Sequence, residues 1–260
     1  MIPHSFDVLG NIAILKFEKG AKKSSKVEVA RELMQEQKHI TTVLEKKGKF
    51  KGRLRTMETG YLTGEKTKVA IYRENGCIFR FNIDTTYFSP RLSNERNEIA
   101  KQVKQGENVL VLFAGVAPFS IVIAKMAKPK KVYSVEINRE GSKYAAENAR
   151  LNKIENIVEV IQGDVKKIIP KFVNKKIKFD RVVMPRPQLK DTFLESTFKV
   201  IKKGGIINYY GFSKDPDEIA ESINKEAKKA KKKIDIMLIK KAGEIAPFKY
   251  RWRVDFRVLN

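Results

Sequence analysis

The sequence is poor in the residues that hold metals and cross-links. Its 260 residues include one cysteine, Cys77, and two histidines, His4 and His39. A single cysteine excludes an intramolecular disulfide and a cysteine cluster for zinc, and a histidine-based metal site is not expected. No apolar run approaches the roughly 20 residues that a membrane-spanning helix needs. The N-terminus lacks the basic, then apolar, then small-residue pattern of a secretion signal. These absences lead us to expect a soluble, cytoplasmic protein. The G-x-G-x-x-G fingerprint and the Gly-Lys-Ser/Thr ending of a Walker loop are missing as well.

Basic residues are abundant. There are 54 Lys and Arg against 30 Asp and Glu, a formal charge of +24. Such an excess favours a polyanionic partner, because each neutralised phosphate releases counterions. The lysines are scattered, from Lys22–Lys23 and Lys46–Lys47 to Lys130–Lys131, Lys166–Lys167 and the run Lys228 to Lys233. Charge alone therefore does not localise a footprint, and the last run reads as the wet face of a helix.

The hydrophobic pattern divides the chain. Residues 1–84 read as a small α+β unit with a strand pair in Val8 to Phe17, a helix over Ser25 to His39 and strands at Thr41 to Leu44, Lys68 to Arg73 and Cys77 to Ile83. Glu74-Asn75-Gly76 marks a hairpin turn between the last two. Residues 85–260 alternate helices and apolar strands. Helices are expected at Asn94 to Val103, Pro118 to Lys128, Arg139 to Leu151, Leu189 to Ile201 and Asp215 to Lys232. Strands are expected at Asn108 to Phe113, Lys131 to Ile137, Val158 to Gln162, Lys178 to Met184 and Gly205 to Tyr210, and two final strands near Lys232 to Lys240 and Arg251 to Val258 form a hairpin. Alternation of this kind means a parallel sheet with helices on both faces. Cys77 and Trp252 read as packing residues, and Asn94 as a helix N-cap.

Sheets of this type bind ligands at the carboxyl ends of their strands. The first strand of the second region ends in Phe113-Ala114-Gly115-Val116-Ala117-Pro118-Phe119. Gly115 permits a tight turn and close approach of a ligand, and Pro118 suits the first turn of a helix. The second strand ends Val135-Glu136-Ile137-Asn138, and Glu136 there can accept hydrogen bonds from ribose hydroxyls. Asp164, after the third strand, can bind an adenine amino group. The three positions together suit an adenosine-containing cofactor. The lack of a phosphate-cradling glycine pair favours S-adenosylmethionine over a dinucleotide.

Tyr87-Phe88-Ser89-Pro90-Arg91-Leu92-Ser93-Asn94-Glu95-Arg96, together with the upstream GRLRTMETGYLTGEK and YRENG stretches, FAGVAPFS and VEIN, resembles the archaeal tRNA (guanine-37) N1-methyltransferase family over essentially the whole chain. The resemblance implies a Rossmann-like class I methyltransferase fold with a small N-terminal α+β domain that contacts tRNA and the target base. It implies Glu95 as general base and Arg55 as the arginine at O6 of the guanine. Arg96, Tyr87, Pro185 and Arg186 would line the target base. The cofactor side would take Tyr87, Phe113, Gly115, Pro118, Phe119, Glu136, Asn138, Asp164 and Met184. No metal is implied, the partner is tRNA and the expected state is a monomer. The chemistry is coherent, since guanine N1 carries a proton at neutral pH. A carboxylate removes it and an arginine holds the charge that develops on O6.

Four positions depart from the family pattern. Val111 and Ala117 replace an Asp and a Gly, Pro185 replaces an Asn, and Glu136 replaces an Asp. Proline brings neither N–H nor side-chain amide. The Glu-plus-Pro pair resembles a branch that also methylates a ring carbon of 4-demethylwyosine. The chain begins almost directly at Ser5-Phe6-Asp7-Val8, where many members carry a further domain, and its lysines are expected to compensate in tRNA binding. Three other readings are an aminocarboxypropyl transferase using the same cofactor, a non-catalytic tRNA-binding protein, and a small-molecule methyltransferase. The charge and the separate small unit disfavour the last.

Overall fold

The computed structural model describes residues 6–18, 20–48, 50–185 and 189–260. The chain divides into two compact units, Met1–Pro90 and Arg91–Asn260.

In the first unit, β1 (Asp7–Leu9) and β2 (Ile12–Leu15) form an antiparallel hairpin. Its turn requires glycine. Gly10 has φ +61°, and a Cβ there would stand 1.8 Å from the Ile71 carbonyl oxygen. Helix α1 (Lys23–Glu36) leads to β3 (Thr42–Lys46), parallel to β2, and β4 (Thr59–Gly64) completes a sheet of order β1-β2-β3-β4. Ala30 and Leu33 of α1 close the core over Ala13, Leu15 and Val43. A separate hairpin joins β5 (Val69–Glu74) and β6 (Cys77–Asn82). Its turn residues Asn75 and Gly76 both have positive φ, as the favoured two-residue hairpin turn demands. Cys77 is buried, as expected. Strand β4 was not foreseen, because two glycines in Thr59-Gly60-Tyr61-Leu62-Thr63-Gly64 break the apolar alternation that marks a strand.

The chain enters the second unit through a 3-10 turn, Pro90–Leu92, that runs directly into α2 (Ser93–Gln102). This corrects the capping role expected of Asn94. Leu92 occupies the cap position, and the Asn94 amide instead donates to Glu98 at 3.0 Å, one turn on. There follow β7 (Asn108–Leu112), α3 (Pro118–Ala127), β8 (Lys131–Glu136), α4 (Arg139–Leu151), β9 (Val158–Gln162), α5 (Val165–Asn174), β10 (Phe179–Met184), α6 (Leu194–Phe198), β11 (Ile201–Ser213), α7 (Pro216–Lys229), β12 (Ile234–Ala246) and β13 (Lys249–Val258). The strands form one seven-stranded sheet of order β12-β13-β11-β10-β7-β8-β9, parallel except for β13. The order reverses between β7 and β10, the switch point at which such sheets bind ligands.

The helix expected over Leu189 to Ile201 shrinks to Leu194–Phe198. Phe193 adopts φ +59° and the Asp191 carboxylate accepts from its N–H, a local turn that a continuous helix cannot contain. From Ile201 the backbone already pairs with Phe179, so β11 begins earlier than Gly205. Trp252 packs partly buried against the main core, in keeping with its reading as a packing residue.

One seam of the second unit is polar. Glu95, Glu98 and Gln102 recur on α2 at i, i+3 and i+7, one helical face. Facing them, Arg181 of β10 donates to the Gln102 and Asn208 side chains at 3.3 and 3.1 Å and pairs with Glu107 at 3.0 Å. Asn208 of β11 and Gln102 both donate to Asp255 of β13, at 2.7 and 3.0 Å.

Candidate active site

At the carboxyl end of β7 the chain turns sharply. Phe113, Gly115 and Ala117 all have left-handed φ, at 56°, 59° and 65°. Ala117 is a non-glycine residue held in that region, local strain of the kind that accumulates at binding sites. Phe113 packs edge-on against Phe193, 5.0 Å between ring centres. Pro118 takes the first turn of α3, where its missing N–H costs nothing.

Glu136 ends β8 beside this turn and is buried. One carboxylate oxygen accepts from the Gly115 N–H at 2.7 Å and the other from the Asn138 N–H at 2.7 Å. Burial raises its pKa above the ordinary 4.5, and these backbone donors oppose the rise. Asn138 caps α4 by accepting from the Glu140 and Gly141 N–H groups. A Cβ at Gly141 would meet Glu136 Cγ at 3.3 Å and the Gly115 oxygen at 3.4 Å, so glycine lets the helix come this close. Asp164 stands after β9 and caps α5, with one oxygen accepting from Lys166 N–H at 2.9 Å. Met184 is buried at the end of β10, its sulfur 3.6 Å from the Thr197 hydroxyl. Pro185, which follows, is half-buried. Arg186 lies outside the described residues.

A second cluster surrounds Glu95, which is only 4% exposed. Its Oε2 accepts from the Tyr210 hydroxyl at 2.9 Å and from Arg253 Nη1 at 2.7 Å, while Lys240 stands 3.5 Å from Oε1. Arg253 also pairs with Glu98 at 3.0 Å and Asp255 at 3.3 Å. Burial works against its charge, but Asp255, Glu95 and Glu98 outweigh that and push its pKa above the ordinary value. Tyr210 is raised well above 10, first by burial and then by the charge of Glu95, so it stays a neutral donor. Lys240 is raised by its hydrogen bond to Glu98, and Glu98 is correspondingly lowered. Arg96 is buried beside this cluster with its guanidinium 5.8 Å over the Phe119 ring, and Phe119 in turn packs edge-on against Tyr210.

The first unit carries a third constellation. Arg55 sits in the loop between β3 and β4 at φ 53°, its guanidinium 4.2 Å from the Tyr87 ring centre and 5.5 Å from that of Phe50. Its Nε is buried with no hydrogen-bond partner. Asp84 fixes the approach to Tyr87. It accepts from the Thr59 hydroxyl at 2.6 Å and pairs with Lys68, and its carbonyl receives the Met57 N–H at 2.9 Å. An arginine stacked on aromatics with an unspent donor is poised for a further acceptor.

The TRM5/TYW2 methyltransferase domain matches residues 70–237, and the TYW2 N-terminal domain matches residues 1–67. The tRNA (guanine(37)-N(1))-methyltransferase Trm5b of Pyrococcus abyssi is 36% identical over 99% of this chain and 76% of its own length. The chain belongs to the TRM5/TYW2 methyltransferase family. The crystal structure of that P. abyssi protein superposes with a TM-score of 0.85. A complex of aTrm5 with tRNALeu, 31% identical, covers 100% of this chain and 73% of its own with a TM-score of 0.86. The tRNA (guanine(37)-N(1))/4-demethylwyosine(37)-methyltransferase Taw22 of Nanoarchaeum equitans is 28% identical over 98% of this chain and 100% of its own length. Methanocaldococcus jannaschii TYW2 in complex with AdoMet, 25% identical, covers 98% of this chain and 100% of its own with a TM-score of 0.75. The α/β class expected from the sequence is thus that of the TRM5/TYW2 family.

Sequence reasoning placed Gly115, Glu136 and Asp164 at three successive strand ends. The structure joins Gly115 and Asn138 to the Glu136 carboxylate, while the Asp164 carboxylate caps α5 and Phe113 packs on Phe193. It also brings Glu95, Arg96 and Phe119 together around Tyr210, and Arg55 together with Tyr87. Sequence reasoning missed Phe50, Glu98, Lys240 and Arg253. Arg253 had a signal, an arginine amid apolar residues on a strand, but its partner Glu95 lies 158 residues away. Among the described residues no cluster of His, Cys, Asp and Glu could hold a metal ion, and no helix is long and apolar enough to cross a membrane.

Proposed function

We propose that this protein transfers the methyl group of S-adenosylmethionine to N1 of guanosine 37 in tRNA. The alignment of 99% of the chain with a guanine-37 N1-methyltransferase carries this reading, and the cluster around Glu95 supplies the chemistry. The strand-end residues fit the cofactor. Backbone N–H groups, Gly115 and Asn138 among them, bond the Glu136 oxygens, and a carboxylate's roughly four acceptor positions leave room for a ribose hydroxyl. Gly141 keeps the cradle open. Glu136 would hold the ribose, Asp164 the adenine side, and Phe113, Gly115, Asn138 and Met184 the remainder of the pocket with Pro118 and Phe119 behind them. The bound cofactor supplies an electrophilic sulfonium methyl.

The proton on guanine N1 goes to Glu95. Tyr210 and Arg253 hydrogen-bond Oε2, and Oε1, with Lys240 3.5 Å away, is the oxygen that takes it. Arg55, whose Nε–H has no partner, donates to O6, where negative charge grows as N1 loses its proton. Tyr87 and Phe50 hold that planar guanidinium in place, and Arg96 and Pro185 border the base. The division of labour gives residues 1–84 the tRNA and target-base contacts and residues 85–260 the cofactor and methyl transfer. We place the reaction in the cytoplasm, carried out by a monomer. Light scattering showing a single chain mass of 29.8 kDa checks the latter.

Alignment with the whole length of a Taw22 protein, together with Pro185 in place of an amide-bearing residue, favours a second activity, methylation of a ring carbon of 4-demethylwyosine. Mass spectrometry of nucleosides tests both. Unmodified and 4-demethylwyosine-bearing tRNA are incubated with the enzyme and S-adenosylmethionine. A gain of one methyl on each substrate supports the dual reading, and a gain on guanosine alone removes the second activity. Gain of an aminocarboxypropyl mass instead refutes the methyltransferase reading.

A further inference from the structure

The hairpin of β12 and β13 continues past the Glu95 cluster, with β11 paired to β13 as far as Tyr250, and ends in a turn at Phe248. β12 runs parallel to β11, β10 and β7, so its carboxyl end lies on the same side of the sheet as the turn at Gly115 and Glu136. Lys240 and Arg253 pair across the hairpin and share the face turned to Glu95. By strand alternation that face next carries Arg251 and then Lys249. Gly243 lies opposite Arg251, and a Cβ there would meet nothing within 4 Å. Lys249 is four residues from Arg253, about 13 Å of extended strand. Beyond it, Phe248 is 71% exposed and held at φ 57°. The Arg251 guanidinium lies 5.3 Å over the Phe212 ring. On the opposite face Lys241 covers Tyr250 at 3.6 Å.

We infer that this hairpin is a track for single-stranded RNA next to the target nucleotide, with Lys249 and Arg251 on phosphates and Phe248 as a stacking platform for a neighbouring base. Exposed aromatics between cations are how sequence-tolerant single-strand sites are built, and a chain of net charge +24 complements that partner. A second copy of the chain fits less well. β12 is an edge strand, but its register shifts at Ile236/Leu238, Lys241/Gly243 and Glu244/Ala246. Bulges and lysines on an edge obstruct pairing with another strand. The inference rests on the proposed action on tRNA, and it names a contact of that substrate outside the methyl-transfer pocket.

Phe248→Ala and Arg251→Ala in the full chain test it, with tRNA affinity measured by filter binding across a salt series, alongside KM, kcat and cofactor affinity. Phe248→Ala should raise the tRNA Kd and KM about ten-fold. Arg251→Ala should reduce the slope of log affinity against log salt by about 0.7, as loss of one phosphate contact to a single strand does. Both should keep kcat within two-fold and cofactor affinity unchanged. Wild-type Kd and salt slope in both variants, with guanosine 37 still methylated, overturn the hairpin contact. Weakened tRNA binding in the variants while the wild type methylates some other nucleotide leaves the contact standing and overturns the assigned target. A change of oligomeric mass in Phe248→Ala with tRNA affinity intact assigns the surface to a second copy and overturns the RNA track.

Discussion

Glu95→Gln separates chemistry from architecture in this molecule. The amide keeps the shape of the carboxylate, and its oxygen can still accept from the Tyr210 hydroxyl and Arg253. Arg253 loses one counter-charge but retains Glu98 at 3.0 Å and Asp255 at 3.3 Å, so no buried cation is left alone. Two charge-assisted hydrogen bonds become neutral-acceptor bonds, a loss of about 1–3 kcal/mol. At this chain length that lowers Tm by a few degrees, and the variant should fold. What it cannot do is take the N1 proton. General-base catalysis contributes about a hundred- to ten-thousand-fold, equivalent to about 3–5 kcal/mol in the barrier. Single-turnover transfer from labelled S-adenosylmethionine to a guanosine-37 transcript should slow by that factor, with cofactor and tRNA affinities near wild type. A slowing of less than about five-fold would refute Glu95 as the base. Loss of cofactor binding in step with rate would show that the residue is structural.

Other outcomes follow from the same geometry. Burial raises the Glu136 pKa, and only the ionised carboxylate can accept from ribose while keeping its backbone donors on both oxygens. Cofactor affinity, measured by calorimetry, should therefore fall as pH drops through a midpoint above 4.5, and an unchanged affinity down to pH 4.5 contradicts the ribose role. Arg55→Lys keeps the charge but loses the planar fork between Phe50 and Tyr87; kcat should drop about ten-fold or more with little change in cofactor Kd, and a wild-type kcat removes Arg55 from O6. Glu98 is lowered and Lys240 raised by their mutual hydrogen bond. The Glu98 contribution to stability is present above its unfolded pKa and lost as pH falls through the lower folded value. The Lys240 contribution is present below its unfolded pKa and lost as pH rises through the higher folded value, so Glu98→Gln should flatten both flanks of a Tm-against-pH curve. Affinity of the wild type for tRNA should fall steeply with salt, by a slope reporting several phosphate contacts, and a flat response would leave the lysine excess without a role in binding.

How much of this was legible in the sequence depended on the range of the interaction. Strands β7 to β9 are short apolar runs bounded by turns, and their ends, Gly115, Glu136 and Asp164, could be read as a ligand rim because topology puts successive parallel strand ends side by side. The misread helix at Leu189 to Ile201 shows the limit of periodicity. Phe193 fits the apolar spacing, yet its left-handed backbone and the Asp191 turn stop the helix. The cradle of Glu95 was illegible for another reason. Tyr210 and Arg253 reach it from β11 and β13, and only the pairing of those strands, with Tyr210 opposite Arg253, tells that both side chains converge on α2. Phe50 carries no local signal at all, since a lone aromatic in a lysine-rich loop resembles any surface residue.

The polar seam along α2 bears on how far that helix can move. A helix seated on apolar side chains can slip by one turn, about 5.4 Å, and find nearly equivalent packing. Glu95, Glu98 and Gln102 cannot, because each would meet the wrong partner, leaving buried charges among Arg181, Arg253 and Asp255 unmatched. The seam works as a ratchet tooth that allows α2 one seat on the sheet. Arg181, which is buried far along the seam from Glu95, thereby helps to fix where the Glu95 carboxylate stands when a base arrives.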